Sequence, residues 1–235
     1  MKVVTVSCHV ERPLDDRCWR VFNELQALRP HGFEVAALMR PPEPDESETL
    51  WLARARIAAA RAPFGHHTHW GGAAQARPVG GDPAERVRRE AAWLREHGLQ
   101  PQFFSGGGWY MDESLASALV ELGYTDCTST AFRPDYLPPG APSLELAEPM
   151  WLRVAGGRLL ELPATHSLGM AARAALRRRL PRFVHIYFHD TDLVDPRRLR
   201  ALLIALAAIA RRRRPVRLDA LTAESETDFV RQLRE

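Results

Sequence analysis

Lysine is almost absent. Of the 32 Lys and Arg residues, only Lys2 is lysine. No internal lysine is available for a Schiff base, a pyridoxal cofactor or the phosphate-binding lysine of a P-loop. Cysteine is scarce too, at Cys8, Cys18 and Cys127. An odd number without CxxC pairing argues against a disulfide framework and a structural zinc site. No apolar run reaches the roughly 18 residues of a membrane span. The opening MKVVTVSCHVERP is too short and too polar for a secretory core, so the cytoplasm is the expected compartment. No RNA-binding or helix-turn-helix signature is present, so no nucleic acid is expected as partner. The wealth of Arg, Ala, Gly and Pro suggests a GC-rich bacterial genome.

What is there is an alternation. Short apolar runs, such as KVVTVSC at 2–8 and FVHIYF at 183–188, alternate with amphipathic stretches such as 16–28, 49–61, 82–97 and 196–211. Asp82, Pro83 and Gly98 mark the start and end of one such helix. Gly156-Gly157 inside 150–162 signals a β-hairpin. Further short strands are expected at 32–39, 62–69, 102–105, 124–128 and 215–218, and helices at 112–122 and 225–233. About seven strand–helix units in succession imply a parallel sheet with helical crossovers, as one domain over 1–235. A barrel and a doubly wound sheet both fit this length. The arginine clusters 177–179 and 211–214 end predicted helices, where cations suit the dipole. A peripheral contact with anionic lipid is the alternative.

In parallel α/β folds, ligands bind where strands end. The unusual residues fall at those ends. If GHHTH at 65–69 is extended, His67 and His69 point to one side and His66 to the other. Two imidazoles and a carboxylate from another strand would make a site for Zn²⁺ or a similar ion. Glu11 is the best carboxylate, sharing a face with His9. Asp15 and Asp16 read instead as a helix start. A surface string of histidines is the competing explanation. His189, flanked by Asp190 and Asp192, sits where a general acid or base can act, with a carboxylate to fix its tautomer. Gly106-Gly107-Gly108 lets backbone come close to a ligand, and Trp109 and Tyr110 offer a wall for a sugar ring. His185 reads as a packed residue and Cys8 as an inert thiol.

Taken in order, VTVSCHVE (4–11), FGHHTHW (64–70), FFSGGGWYMDESLASALVELGYTDCTST (103–130) and VHIYFHDTDL (184–193) resemble the motifs of the polysaccharide deacetylase family, the NodB-homology carbohydrate esterases. The resemblance implies a distorted (β/α) barrel of about seven parallel strands. It implies removal of an acetyl group from a sugar with a divalent ion, Zn²⁺ first and Ni²⁺ or Co²⁺ next. Glu11, His67 and His69 would be the metal ligands, His9 the general base and His189 the general acid. Gly107, Gly108, Trp109, Tyr110 and Asp126 would line the substrate groove. The implied substrate is an acetylated sugar, nucleotide- or lipid-linked. Three departures stand out. His9 replaces the family's first acid, Gly71 stands where a second metal histidine is usual, and Ser105 stands near the usual arginine. A non-catalytic saccharide-binding member, or another metal hydrolase on a similar barrel, is the alternative.

Overall fold

The computed structural model describes residues 2–72, 74–176 and 180–224. Its first strand, β1 (Val3–Val10), is buried along its whole length. A near-continuous β-branched run suits a strand covered on both faces. The chain then continues through α1 (Asp16–Leu28), β2 (Ala36–Met39), α2 (Glu48–Arg61), β3 (Phe64–Thr68), α3 (Pro83–Glu96), β4 (Phe103–Gly106), α4 (Glu113–Glu121) and β5 (Thr125–Asp126). An antiparallel hairpin of β6 (Met150–Val154) and β7 (Gly157–Glu161) follows. After it come β8 (His166–Ser167), α5 (Leu168–Ala175), β9 (Phe183–His189), α6 (Asp190–Leu193), α7 (Pro196–Ala210), β10 (Arg214–Pro215) and α8 (Ala220–Glu224). The strands form one sheet in the order β6-β7-β5-β4-β3-β2-β1-β9-β8, with β10 beside β1. Apart from the hairpin, the strand pairs are parallel.

The segment between β7 and β8 closes the curl. Leu162 N–H donates to the Asp126 carbonyl and Ala164 N–H to the Ser129 carbonyl, both at 2.8 Å. One residue later, Thr165 N–H donates to the His185 carbonyl of β9 at 2.9 Å. The chain therefore changes partner from β5 to β9 within a few residues, and the sheet becomes a distorted barrel.

Two apolar layers hold it. Val4, Val6, Cys8 and Val10 of β1 point outward to Trp19, Phe22, Trp51 and Leu206 on the helices. Phe22 and Trp51 are fully buried, and each such side chain contributes about 2–3 kcal/mol on leaving water. The opposite set points inward, where Val3, Leu38, Phe103, Leu160 and Phe183 fill the barrel floor. Above them the interior turns polar, with Thr5, Ser7, Ser105, His185, His67 and His9 all buried.

The helix signals hold. Asp15, Asp82 and Asp195 each cap a helix N-terminus with a side-chain oxygen. The last parallel pairing, at Arg214–Pro215, is shorter than the sequence pattern predicts. β8 and α5 fall in a stretch to which that pattern assigns no element. The expected helix at 225–233 and the arginines at 177–179 lie outside the described residues. Arg212 and Arg213 donate to the carbonyls of Ala175, Leu180 and Pro181. They stand at the end of the barrel where β1 begins, opposite the strand ends that carry the histidines. No described helix is long and apolar enough to cross a membrane.

Candidate metal centre

The ends of β1, β3 and β9 converge, although β2 lies between β1 and β3, and each delivers part of one cluster. Glu11 Oε1 lies 3.1 Å from His69 Nε2, 3.7 Å from His67 Nε2 and 3.5 Å from His189 Nε2. The expected period-two arrangement of β3 is present. His67 and His69 face the site, whereas His66 turns outward to Glu90 of α3 at 2.8 Å. Ligand atoms of Glu11, His67 and His69 lie within 4.8 Å of one another.

The tautomer of His67 tests whether these residues fit a cation. Its Nδ1 is 2.8 Å from the Ser105 carbonyl, which can only accept, so Nδ1 carries the hydrogen. Nε2 is then a bare lone pair. It is buried and has no hydrogen-bond partner among the described residues. The charged group it faces at 3.7 Å is the Glu11 carboxylate, also an acceptor. Two acceptors facing across a buried gap call for a cation between them, a metal ion or, without one, a proton. A backbone carbonyl holding the far ring nitrogen is the usual way a ligating histidine is oriented. The donor set of two imidazoles and one carboxylate suits Zn²⁺ and its neighbours.

Charge states support the same picture. Burial alone would raise the Glu11 carboxyl, but His67, His69 and His189 hold it well below the usual carboxylate range. Its backbone is fixed as well. The Glu11 and Arg12 N–H groups donate to the Asp190 carboxylate at 3.2 and 2.8 Å.

His9 and His189 lie beside the cluster in different states. His9 is buried, stacked on His67 at 4.6 Å and on Tyr187 at 5.5 Å, with its Nε2 3.4 Å from Ser105 Oγ. Burial first, then His67 and His189, hold its imidazole well below the usual range. For His189, burial alone would lower the pKa. Asp192, 3.6 Å from Nδ1, and Glu11 more than offset it, so the result is a raised value. Of the two acids beside His189, Asp192 is thus its partner, whereas Asp190 serves Glu11.

The predicted groove residues divide. Trp109 does reach the site, 5.7 Å from His9 and 4.8 Å from Tyr187. It takes φ +59°, a left-handed conformation uncommon for a tryptophan. Tyr110, expected beside it, turns the other way. It packs on Trp70 at 5.5 Å and donates to Asp112, outside the barrel. Tyr187 of β9 stands beside Trp109 and His9, where Tyr110 was expected. Its position two residues before His189 on one strand was a readable signal. Gly107 and Gly108 owe their identity to the chain itself. A Cβ on Gly107 would lie 2.6 Å from the Thr68 and Ala76 carbonyls, and one on Gly108 would lie 2.3 Å from Arg77 Cγ. Asp126 is fully buried with both oxygens engaged by Thr128, so it offers a substrate no surface. A cavity of about 300 Å³ opens beside Glu11, lined by Arg12, Leu14, Arg40 and Glu46 among others. A larger one, about 580 Å³, lies on the outer surface between the 41–44 prolines and α3. It contains none of the site histidines.

Barrel and site together define the class: a distorted (β/α) barrel with a carboxylate–histidine centre where its strands end. No family model matches the chain, and no curated protein does. Solved structures do. A candidate polysaccharide deacetylase from Mycobacterium smegmatis superposes with a TM-score of 0.63 at 18% identity, over 95% of this chain and 90% of the other. A candidate polysaccharide deacetylase involved in O-antigen biosynthesis, from Bordetella bronchiseptica, gives 0.50 at 11%, over 89% and 90%. The 4-alpha-glucanotransferase of Thermococcus litoralis gives 0.57 at 14%, with 95% of this chain on 38% of that one. The likeness is one of fold, and the fold is deacetylase-like.

Proposed function

We propose that this protein is a divergent carbohydrate deacetylase that hydrolyses an acetyl group, N-linked, from a saccharide with the help of a divalent ion. The observation that carries this is the bare, buried Nε2 of His67 facing the Glu11 carboxylate, on a barrel shared with deacetylase structures. Glu11, His67 and His69 would hold the ion. When bound, Zn²⁺ or a similar ion supplies Lewis acidity, polarising a carbonyl and making water a nucleophile near neutral pH.

The rest falls to side chains of this chain. Two titratable groups pushed in opposite directions mark base and acid. His9, kept neutral by burial, takes a proton from the attacking water. His189, kept charged by Asp192, delivers one to the leaving amine. Trp109 and Tyr187 supply the apolar wall against which a sugar ring rests. The reading extends to a nucleotide- or lipid-linked N-acetyl sugar as substrate, in a single domain over 1–235.

The test joins two measurements. Metal content is determined for the purified protein, and acetate release is followed with N-acetylated saccharides before and after chelation. Release that stops on chelation and returns with Zn²⁺, Ni²⁺ or Co²⁺ is expected. Release that survives full metal removal overturns the mechanism. Saccharide binding without any turnover makes the protein a binding module on the same fold.

A further inference from the structure

The tryptophan that walls the site is held in a costly conformation. A non-glycine residue in the left-handed region costs on the order of 1 kcal/mol or more and persists only when its surroundings fix it. The turn 106–109 is fixed from several sides. Trp70 Nε1 donates to the Gly107 carbonyl at 3.1 Å, and Arg77 donates to the Gly108 carbonyl at 2.5 Å. At its root, Gly106 N–H donates to Thr128 Oγ1 at 2.7 Å. Gly106 also leaves no room to shift, since a Cβ there would sit 2.6 Å from the Tyr110 carbonyl and 3.3 Å from Thr128 Cγ2.

Behind Thr128 stands a buried pair of acids. Asp126 and Glu161 are register partners on β5 and β7, and both are fully buried. Because Thr128 Oγ1 accepts from Gly106, its own hydrogen goes to Asp126 Oδ1 at 2.6 Å. Thr128 N–H takes the other oxygen at 3.0 Å. Asp126 therefore meets donors on both oxygens, which an ionised carboxylate satisfies. Glu161 differs. Its Oε2 accepts from Ser129 at 2.7 Å, and its Oε1 meets no donor among the described residues. Two carboxyl groups in contact without water cannot both ionise, so one proton is shared between them. Burial and the neighbouring Asp126 carboxylate both favour the protonated form of Glu161, and its Oε1, which accepts from no donor among the described residues, is the oxygen left to carry the proton.

We propose that Asp126 is a positioning residue for the substrate wall: paired with a protonated Glu161, it locks the Thr128 hydroxyl, which locks Gly106 and sets the turn that presents Trp109. The proposal rests on the deacetylase reading for its effect on turnover, and on the geometry alone for its effect on the turn.

The experiment separates the two. Amide hydrogen exchange is measured over the peptide spanning 103–111, and kcat and KM for acetate release are measured beside it, with the metal-loaded protein. Glu161→Gln keeps a donor toward Asp126 and an acceptor toward Ser129. It is expected to leave exchange and KM within about twofold of wild type. Asp126→Asn loses an acceptor that Thr128 needs. Exchange over 103–111 is expected to speed up about tenfold, with KM rising by a similar factor and kcat changing less. Should Asp126→Asn fail to fold, Thr128→Val and Thr128→Ser decide, with the valine behaving as Asp126→Asn should and the serine as wild type. Unchanged exchange in Asp126→Asn or Thr128→Val overturns the proposal, and so does equal damage from Glu161→Gln and Asp126→Asn. If no saccharide is turned over at all, the deacetylase reading fails while the exchange result still judges the clamp.

Discussion

Glu11 Oε1 approaches the Nε2 atoms of His69 and His67 at 3.1 and 3.7 Å, joining the ends of two strands that are not neighbours in the sheet. β2 lies between β1 and β3, so the curl of the barrel, not strand pairing, brings these groups together. Such a contact exists only once the barrel has formed, which couples the site to the fold.

The first expectation concerns that contact. Wild-type protein should retain about one equivalent of a divalent ion, as a set of two imidazoles and a carboxylate with one position left for water does. Glu11→Gln and the double variant His67→Ala/His69→Ala should lose it. Elemental analysis by mass spectrometry, after exchange into chelator-treated buffer and reloading with Zn²⁺, gives the ratio. Equal metal content in all three proteins would place the ion elsewhere.

Asp190 supplies a second. Its carboxylate accepts three backbone N–H groups, from Glu11, Arg12 and Thr191. Burial pushes its carboxyl up to about 6, so it is ionised at neutral pH. Asp190→Asn keeps the volume but turns an NH₂ group toward N–H donors. Groups that orient a metal ligand are worth about 10–100-fold in metal affinity. A competition titration with a chromophoric chelator should show a loss in that range for Asp190→Asn. An unchanged affinity would mean that Glu11 needs no such anchor.

The sequence made much of this legible, for identifiable reasons. Two helix starts followed capping chemistry, because Asp15 and Asp82 satisfy exposed N–H groups whatever the tertiary fold does. His67 and His69 followed from strand periodicity alone. The closing strand β8 did not, since it is two residues long and its neighbours pair partly with β5 and partly with β9. α5 was missed although Ser167 caps it, because eight residues carry too little periodicity. Tyr110 was misplaced because alternation fails across the turn at 107–109, where Gly108 and Trp109 take positive φ. Asp126 looked like a groove residue because burial cannot be read from a lone acid beside a strand.

His185 gives a pH dependence of stability. Burial holds its imidazole down at about 4, against 6.5 in the unfolded chain. It is neutral in both states above pH 6.5. Below that, the unfolded chain binds a proton that the native state refuses, so stability falls as pH drops toward 4. The full effect is roughly 3 kcal/mol. His9 and His67 are held low as well and act with the same sign. Asp126, Glu161, Asp190 and His189 are held high and act with the opposite sign in the same window, so the contribution of His185 is read as a difference between two proteins. In thermal melts of metal-free protein from about pH 7 to pH 5, wild type should lose more Tm, or gain less, than His185→Gln, even if the variant's Tm is lower throughout because the bond to Ser7 is weakened. Parallel curves for the two proteins would exclude His185 as a source.

Gly65 ties packing to the site most directly. It pairs with Leu38 on one side and Phe103 on the other. A Cβ there would fall 2.3 Å from Leu38 Cδ2 and 2.9 Å from both Phe103 Cβ and the Phe103 carbonyl oxygen. Leu38 can rotate away, but the backbone of β4 cannot. Gly65→Ala should therefore destabilise by about 1–3 kcal/mol, the usual cost of overpacking. For a chain of this size that lowers Tm by roughly 2–10 °C. The strands must part at Gly65, and His67 stands two residues further along β3, so metal affinity should fall in the same variant. Gly80→Ala is the control, since a Cβ there meets nothing within 4 Å. Calorimetry and chelator competition on both variants decide the matter. If Gly65→Ala lowers Tm but binds the ion as wild type does, the position of His67 is set by its bond to the Ser105 carbonyl, not by the packing beneath it.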